Sequence, residues 1–144
     1  MILSEKEKTM LANAAAEAVK RAYAPYSGFQ VGAALLTESG KVYTGCNIEN
    51  ASYSATVCAE RCAFFEAVAK GEREFRAIAV AGGKNGVIDG ICVPCGVCLQ
   101  VMCEFTDAEA FPVLLVKDPD GTQYESHLLK ELLPFGFTGK KLNG

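Results

Sequence analysis

Three cysteines stand where two helices are expected to begin. Cys95 and Cys98 form a Pro-Cys-x-x-Cys sequence, and Cys58 precedes Glu60 by two residues. Thiolates are good zinc ligands, and a catalytic zinc ion usually has three protein ligands with a water in the fourth position. The partial positive charge of a helix N-terminus lowers the pKa of a thiol and favours the thiolate form that a metal needs. These spacings predict a zinc site formed by Cys58, Cys95 and Cys98.

Two charged residues follow Cys58 on the expected helix. Arg61 comes three residues later, which puts both side chains on one helix face and brings a guanidinium N–H within reach of the sulfur. Glu60 lies about 200° around a regular helix from Cys58. Cys58 must therefore lie at or just outside the first turn if Glu60 is to reach a water on the metal. Arg61 would then offset the excess charge of three thiolates, and Glu60 is the candidate proton carrier of a hydrolytic zinc enzyme.

The same cysteines permit a second interpretation. Cys62 comes one turn after Cys58, so these two residues could join Cys95 and Cys98 in a closed structural zinc site with four cysteine ligands. The corresponding function is a non-catalytic binding module that zinc stabilises. A structural site has no need of the Glu60 carboxylate, which favours the catalytic interpretation.

Length, charge and hydropathy restrict the partners of the chain. With 144 residues, it has the usual size of one domain, and we expect a single domain spanning 1–144. A net charge of −3 argues against nucleic acid, whose binding depends on clustered Lys and Arg. The apolar runs fall short of the roughly 20 residues that cross a bilayer, so no membrane partner is expected. A polar N-terminal stretch without a signal pattern predicts a cytoplasmic location, where the seven cysteines stay reduced.

Hydrophobic periodicity predicts the elements that position these residues. Ser4 and Glu7 have the spacing of a capping box in front of an amphipathic helix. Strands are then expected at 29–35, 41–46, 75–81, 113–117 and 123–125, and helices at 58–70, 98–105 and after Ser126 as a cap. Helices between strands imply an α/β fold with a mixed sheet covered on both faces. Sites in such sheets gather beyond the carboxyl ends of strands, where both cysteine clusters are expected.

The cysteine motifs have a counterpart in a known family. Cys58-Ala59-Glu60-Arg61 and Pro94-Cys95-Gly96-Val97-Cys98 resemble the zinc signature of the small homotetrameric cytidine deaminases. The resemblance extends to residues 23–34 and 45–53, and to Glu131-Leu132-Leu133-Pro134 followed by Phe137. It implies a three-layer α/β/α sandwich with a mixed, mostly parallel five-stranded sheet and one zinc ion per chain. It also implies hydrolysis of free cytidine and 2'-deoxycytidine, in which zinc-bound hydroxide attacks carbon 4 of the ring and Glu60 carries the protons.

The resemblance implies further contacts with the nucleoside. Asn47 and Glu49 would hold the ribose hydroxyls, Phe29 would pack against the nucleoside, and Arg61 and Gln100 would lie behind the zinc ligands. The remaining substrate contacts would be Ala59 and, completing the site of a neighbouring subunit, Ala51, Tyr53 and Phe137. Without the resemblance, Asn47 and Glu49 have the character of ordinary loop residues, and Phe29 that of a core or interface residue.

Other aminated rings are alternative substrates. They include a modified nucleoside, a nucleoside antibiotic, a nucleotide and a base within RNA. Glu49 would repel a phosphate close to the ribose, and the acidic net charge disfavours RNA.

One position departs from the family pattern. Leu99 stands where the family usually has Arg, so a cation near the thiolates is missing. Either the zinc ion becomes a weaker Lewis acid and Arg61 carries more of the charge compensation, or Leu99 faces the core and affects packing alone.

Overall fold

Helices cover both faces of a five-stranded sheet in a computed structural model that describes residues 2–142, apart from the side chain of Lys141. The strands are β1 (Phe29–Thr37), β2 (Val42–Cys46), β3 (Phe75–Lys84), β4 (Pro112–Val116) and β5 (Tyr124–Leu128). The helices are α1 (Glu5–Ala18), α2 (Ala59–Ala69), α3 (Gly96–Phe105) and the single turn α4 (Leu129–Leu132). The strand order is β2-β1-β3-β4-β5.

Two cores lie on opposite faces of the sheet. Side chains alternate along a strand, so Ala33 and Leu35 of β1 pack beneath α2 and α3 together with Phe64. Ala34 and Leu36 point the other way and pack beneath α1. This arrangement confirms the three-layer α/β/α sandwich.

The strand directions correct one part of the expected fold. The sheet is mixed, as expected, but "mostly parallel" is wrong. Among the strands of residues 2–142, β3 and β4 form the single parallel pair, whereas β1 is antiparallel to β2 and β3, and β4 is antiparallel to β5. Short turns can join antiparallel neighbours, but parallel neighbours need a crossover. The consecutive antiparallel pairs β1–β2 and β4–β5 are therefore hairpins joined by short connections. Helix α3 lies in the crossover that joins the parallel strands β3 and β4.

The cap predicted for the first helix is confirmed, whereas the cap predicted for the last helix is wrong. At the first helix, the Ser4 hydroxyl accepts from the Glu7 amide at 3.1 Å and the Glu7 carboxylate accepts from the Ser4 amide at 3.0 Å. This is the predicted capping box. Ser126, predicted as a helix cap, instead pairs with Leu114 inside β5. The register of the β4–β5 hairpin extends past Ser126, so the last helix begins only at Leu129.

Gly45 lets α2 lie close against the β1–β2 hairpin. A Cβ atom at position 45 would lie 2.4 Å from the Ala59 carbonyl oxygen and 2.7 Å from the Ala63 amide nitrogen. Both atoms belong to the backbone, which cannot rotate away. The absence of a side chain at Gly45 therefore determines where the first turn of α2 lies.

We expect Gly45→Ala to destabilise the protein by about 1–3 kcal/mol, because overpacking must displace α2. Thermal unfolding measures the change. Gly90→Ala is the matched control, since a Cβ at Gly90 meets nothing within 4 Å, and its melting temperature should stay near wild type. Equal melting temperatures for the two variants would show that α2 does not depend on Gly45.

Candidate metal centre

The three predicted cysteines converge at the N-termini of α2 and α3. Cys58 and Cys95 are the N-cap residues of these helices, and Cys98 lies in the first turn of α3. The sulfur of Cys95 lies 3.8 Å from that of Cys58 and 3.6 Å from that of Cys98. A tetrahedral zinc ion with Zn–S bonds of about 2.3 Å separates its sulfur ligands by about 3.8 Å. The three side chains therefore fit zinc in both chemistry and spacing.

Hydrogen bonds favour the thiolate form of Cys58. Its pKa is lowered to about 5 by the hydrogen bond from Cys98 and, beyond the opposing effect of burial, by the one from Arg61. Arg61 Nη2 donates to Cys58 Sγ at 3.4 Å, as the helical spacing predicts. A negatively charged ligand is thus present before any metal binds, and a guanidinium compensates part of its charge.

Glu60 lies beside the sulfurs with almost no contact with solvent. Because Cys58 is the N-cap, Glu60 becomes the second residue of α2, and its side chain is 4% exposed. Burial, together with the negative charge of Cys58, raises the pKa of Glu60 to about 7, although its own backbone amide, the charge of Arg61 and a hydrogen bond from Cys98 act to lower it. A carboxyl group with this pKa can both hold and release a proton near neutral pH.

A four-cysteine site does not form in the described part of the chain. The three sulfurs of Cys58, Cys95 and Cys98 all lie within 4.8 Å of one another, and Cys62 is not a member of this cluster. Cys62 follows Cys58 on α2, and burial raises the pKa of its thiol. A neutral buried thiol packs as a small apolar side chain, so the geometry favours three protein ligands.

Known proteins share both the sequence and the fold of this chain. A model of the cytidine and deoxycytidylate deaminase zinc-binding region matches residues 4–114. The chain belongs to the cytidine and deoxycytidylate deaminase family. It is 46% identical over 127 residues to a cytidine deaminase of Sporosarcina psychrophila, with 88% of each chain covered. The cytidine deaminase of Halalkalibacterium halodurans is 43% identical over 137 residues, which are 95% of this chain and 98% of the relative.

A solved structure supports the same assignment. The crystal structure of a cytidine deaminase from Burkholderia pseudomallei superposes with a TM-score of 0.80 at 44% identity, and covers 94% of this chain and 100% of that one. The chain is therefore an enzyme of the deaminase family, and its mixed five-stranded sheet is the fold of that relative.

In this deaminase Asn47 holds the start of β1. Its Oδ1 accepts from the Val31 amide at 2.9 Å, and its Nδ2 donates to the Phe29 carbonyl at 2.8 Å. The Asn47 side chain is 8% exposed. Oδ1 can accept one more hydrogen bond, and Nδ2 can donate one more. Asn47 thus fixes the backbone of Phe29, and can still contact a ligand.

Glu49 holds the loop before β1. Its carboxylate accepts from the Tyr26 amide at 2.9 Å, from the Ser27 amide at 3.0 Å and from the Ser27 hydroxyl. The hydrogen bonds from Ser27 lower the pKa of Glu49, so the group stays charged at neutral pH. Glu49, Tyr26 and Ser27 line a cleft of about 320 Å³ together with Tyr53 and Thr56.

The other implied substrate contacts differ in exposure. Ala59 is fully buried at the start of α2. Phe29 is 39%, Phe137 57% and Tyr53 75% exposed, and Ala51 is exposed as well. In a single chain these aromatic side chains are therefore exposed to solvent.

Two further residues, Ser27 in the loop before β1 and Lys84 at the end of β3, hold this loop although their roles were not predicted from the sequence. Ser27 bonds the carboxylate of Glu49, and Lys84 Nζ donates to the Ser27 carbonyl. The turn composition at Ser27-Gly28 was a signal for the first. Nothing in the sequence indicated Lys84, because β3 brings it beside the loop through the pairing of Phe29 with Lys84.

Leu99 lies in the core between α2 and α3. It is 5% exposed and belongs to the cluster that contains Phe64 and Met102. This placement favours packing over electrostatics as the role of the side chain.

We expect Leu99→Arg to destabilise the protein by about 1–3 kcal/mol, because a longer, charged side chain must enter a packed core. Thermal unfolding measures the change. Val97→Arg is the matched control on α3, since Val97 is 58% exposed, and it should leave the melting temperature near wild type. An unchanged melting temperature with a higher kcat/KM in Leu99→Arg would support the electrostatic alternative instead.

Proposed function

We propose that this enzyme hydrolyses free cytidine and 2'-deoxycytidine to uridine and 2'-deoxyuridine with release of ammonia. The observation that carries the proposal is the meeting of three cysteine sulfurs beside the buried carboxyl group of Glu60. The cytidine deaminase relatives, at 43% and 46% identity, support the same reaction.

Cys58, Cys95 and Cys98 would hold one zinc ion per chain. When bound, zinc supplies a water molecule of lowered pKa as the nucleophile at neutral pH. Arg61 donates to Cys58 Sγ and so keeps this ligand in place and offsets part of the thiolate charge.

Glu60 moves the protons of the reaction. Its carboxylate oxygen accepts the proton that the attacking water loses and delivers it to the ring nitrogen. It then takes the proton of the hydroxyl group added at carbon 4 and delivers it to the amine, which leaves as ammonia while the carbonyl group of the product forms. A general acid–base group works best when its pKa lies near the working pH, and the pKa of Glu60 is raised to about 7 by burial.

Asn47, Glu49 and Phe29 would bind the nucleoside. The Asn47 amide and the Glu49 carboxylate can form hydrogen bonds with the sugar hydroxyls, and the Phe29 ring can pack against the flat base. The charged carboxylate of Glu49 disfavours a phosphate near the ribose. These features support a nucleoside substrate over a nucleotide.

Assembly would complete the site. The exposed side chains of Tyr53 and Phe137, with the exposed Ala51, support an assembly in which each subunit contributes to a neighbour's site, and the resemblance to the small homotetrameric cytidine deaminases implies that this assembly is a tetramer. No helix within residues 2–142 has the length and apolar character of a membrane span. The net charge of −3 supports small molecules over nucleic acid as partners, and we propose a cytoplasmic location.

Absorbance assays test the substrate. Cytidine and 2'-deoxycytidine should both be turned over, whereas their 5'-monophosphates and blasticidin S should not. A metal determination should find about one zinc per chain. A zinc-loaded protein without activity on cytidine contradicts the proposed function, and comparable activity on the monophosphates contradicts the role of Glu49.

Dilution tests the shared site. If neighbouring subunits complete each site, activity per chain should fall as the assembly dissociates. Size-exclusion chromatography with light scattering, run over the same range of concentrations, should show the loss of the tetramer together with the loss of activity. A fully active monomer would rule out shared sites.

A further inference from the structure

Gln100 makes two hydrogen bonds to the backbone of a residue near the other end of the chain. Its Nε2 donates to the Phe137 carbonyl at 2.5 Å, and its Oε1 accepts from the Phe137 amide at 3.3 Å. Both polar atoms of the Gln100 side chain are used on this one residue. Gln100 lies two residues after the ligand Cys98, yet its amide contacts Phe137 rather than a cysteine sulfur.

The segment that Gln100 holds has no helix or strand to fix it. Residues 133–138 lie between α4 and a final 3₁₀ turn, Gly139–Lys141. Phe135 has a left-handed backbone with φ of 59°, which disfavours regular structure for a non-glycine residue. Gly136 passes so close to α3 that a Cβ there would lie 2.8 Å from Cys103 Sγ. The segment thus lies on the face of α3 formed by Gln100 and Cys103.

The aromatic side chains of this segment are exposed to solvent. Phe135 is fully exposed and Phe137 is 57% exposed. Backbone atoms hold the segment to the chain while its rings remain free for another subunit. A ring with a fixed position loses little entropy when it packs against a ligand.

We propose that Gln100 is a positioning residue: by clamping the Phe137 backbone to the zinc-bearing helix α3, it fixes the ring that Phe137 presents to the nucleoside in a neighbouring subunit. The inference rests on the proposed function, in which Phe137 completes that site. The clamp also ties the position of the ring to α3, which carries two of the three zinc ligands.

Gln100→Met is the variant that tests the clamp. Methionine has a similar length and helix propensity but cannot make either hydrogen bond. Phe137 would contact the nucleoside equally before and during the reaction, so its displacement should raise KM and leave kcat nearly unchanged. We expect about a tenfold rise in KM for cytidine, as for the loss of one to two hydrogen bonds. Zinc content and the tetramer should be unaffected.

Glu104→Met is the matched control, because Glu104 is an exposed residue of the same helix. Its KM should stay at the wild-type value. A drop in zinc content in Gln100→Met alone would place Gln100 behind the metal ligands and overturn the inference.

A double-mutant cycle separates positioning from a general structural role. In a Phe137→Ala background there is no ring to position, so Gln100→Met should cause no further rise in KM. Independent effects that multiply in the double variant would overturn the inference.

Hydrogen exchange distinguishes failure of the inference from failure of the proposed function. The Phe137 amide proton should exchange faster in Gln100→Met than in wild type or Glu104→Met, whether or not the protein deaminates cytidine. Unchanged exchange would show that the clamp is absent. A wild type without cytidine deaminase activity would contradict the proposed function, and with it the catalytic purpose of the clamp.

Discussion

Replacing Glu60 by Gln is expected to lower kcat for cytidine by roughly 10²- to 10⁴-fold, the contribution usually made by a positioned acid–base group. Glutamine has nearly the same shape, so the fold and the zinc site should remain. Its amide cannot accept a proton and return it, so the proton transfers that we assign to Glu60 stop. Steady-state kinetics, zinc determination and thermal unfolding on the same preparation measure the three quantities.

Glu66→Gln is the matched control for this prediction. Glu66 is an exposed residue of the same helix that pairs with Lys70 at 3.5 Å, an interaction of small energetic value. Its kinetics should match wild type. Near-normal turnover in Glu60→Gln would refute the assigned role, whereas loss of zinc in that variant would show that the carboxylate supports the metal instead.

The second large effect is expected when a ligand is removed. Cys98→Ala should abolish tight zinc binding and reduce activity to background, because two thiolates remain where a catalytic site requires three protein ligands. Its melting temperature should also fall and should no longer rise on addition of zinc, since a ligand stabilises only the state that binds it.

Cys62→Ala provides the control for ligand removal. Cys62 is a partly buried cysteine, whereas Cys98 is buried, and Cys62 lies outside the three-sulfur cluster. This variant should keep about one zinc ion per chain and most of the activity. If Cys62→Ala loses zinc and Cys98→Ala keeps it, the ligand assignment is wrong and the four-cysteine alternative regains support.

Local patterns predicted much of the candidate centre. The spacing of three residues on a helix indicated the hydrogen bond from Arg61 to Cys58. Glu60 would lie on the opposite side of a regular helix from Cys58, so Cys58 had to lie at the start of the helix for both residues to reach one site. The structure has Cys58 as the N-cap residue and Arg61 Nη2 at 3.4 Å from its sulfur. Over three or four residues the geometry of a helix is nearly independent of the rest of the chain, so these distances follow from residue spacing.

Other residues have roles that their spacing did not indicate. The side chain of Asn47 bonds the backbone of β1 at Phe29 and Val31, and that of Glu49 bonds the loop at Ser27. Both residues therefore fix the backbone around the start of β1, in addition to the contacts with a nucleoside that we propose for them. Leu99 is in the core, although its neighbour Cys98 is a candidate ligand.

The sequence by itself determined the cysteine cluster, the caps of the first helices and the α/β class, because each depends on residue types at short spacings or on periodic burial. Only the tertiary structure decided the strand directions, the placement of Leu99 and the contact between Gln100 and Phe137. These depend on which distant segments become neighbours: Gln100 and Phe137 are 37 residues apart. Such contacts result from the packing of the C-terminal segment against α3, and no local pattern encodes them.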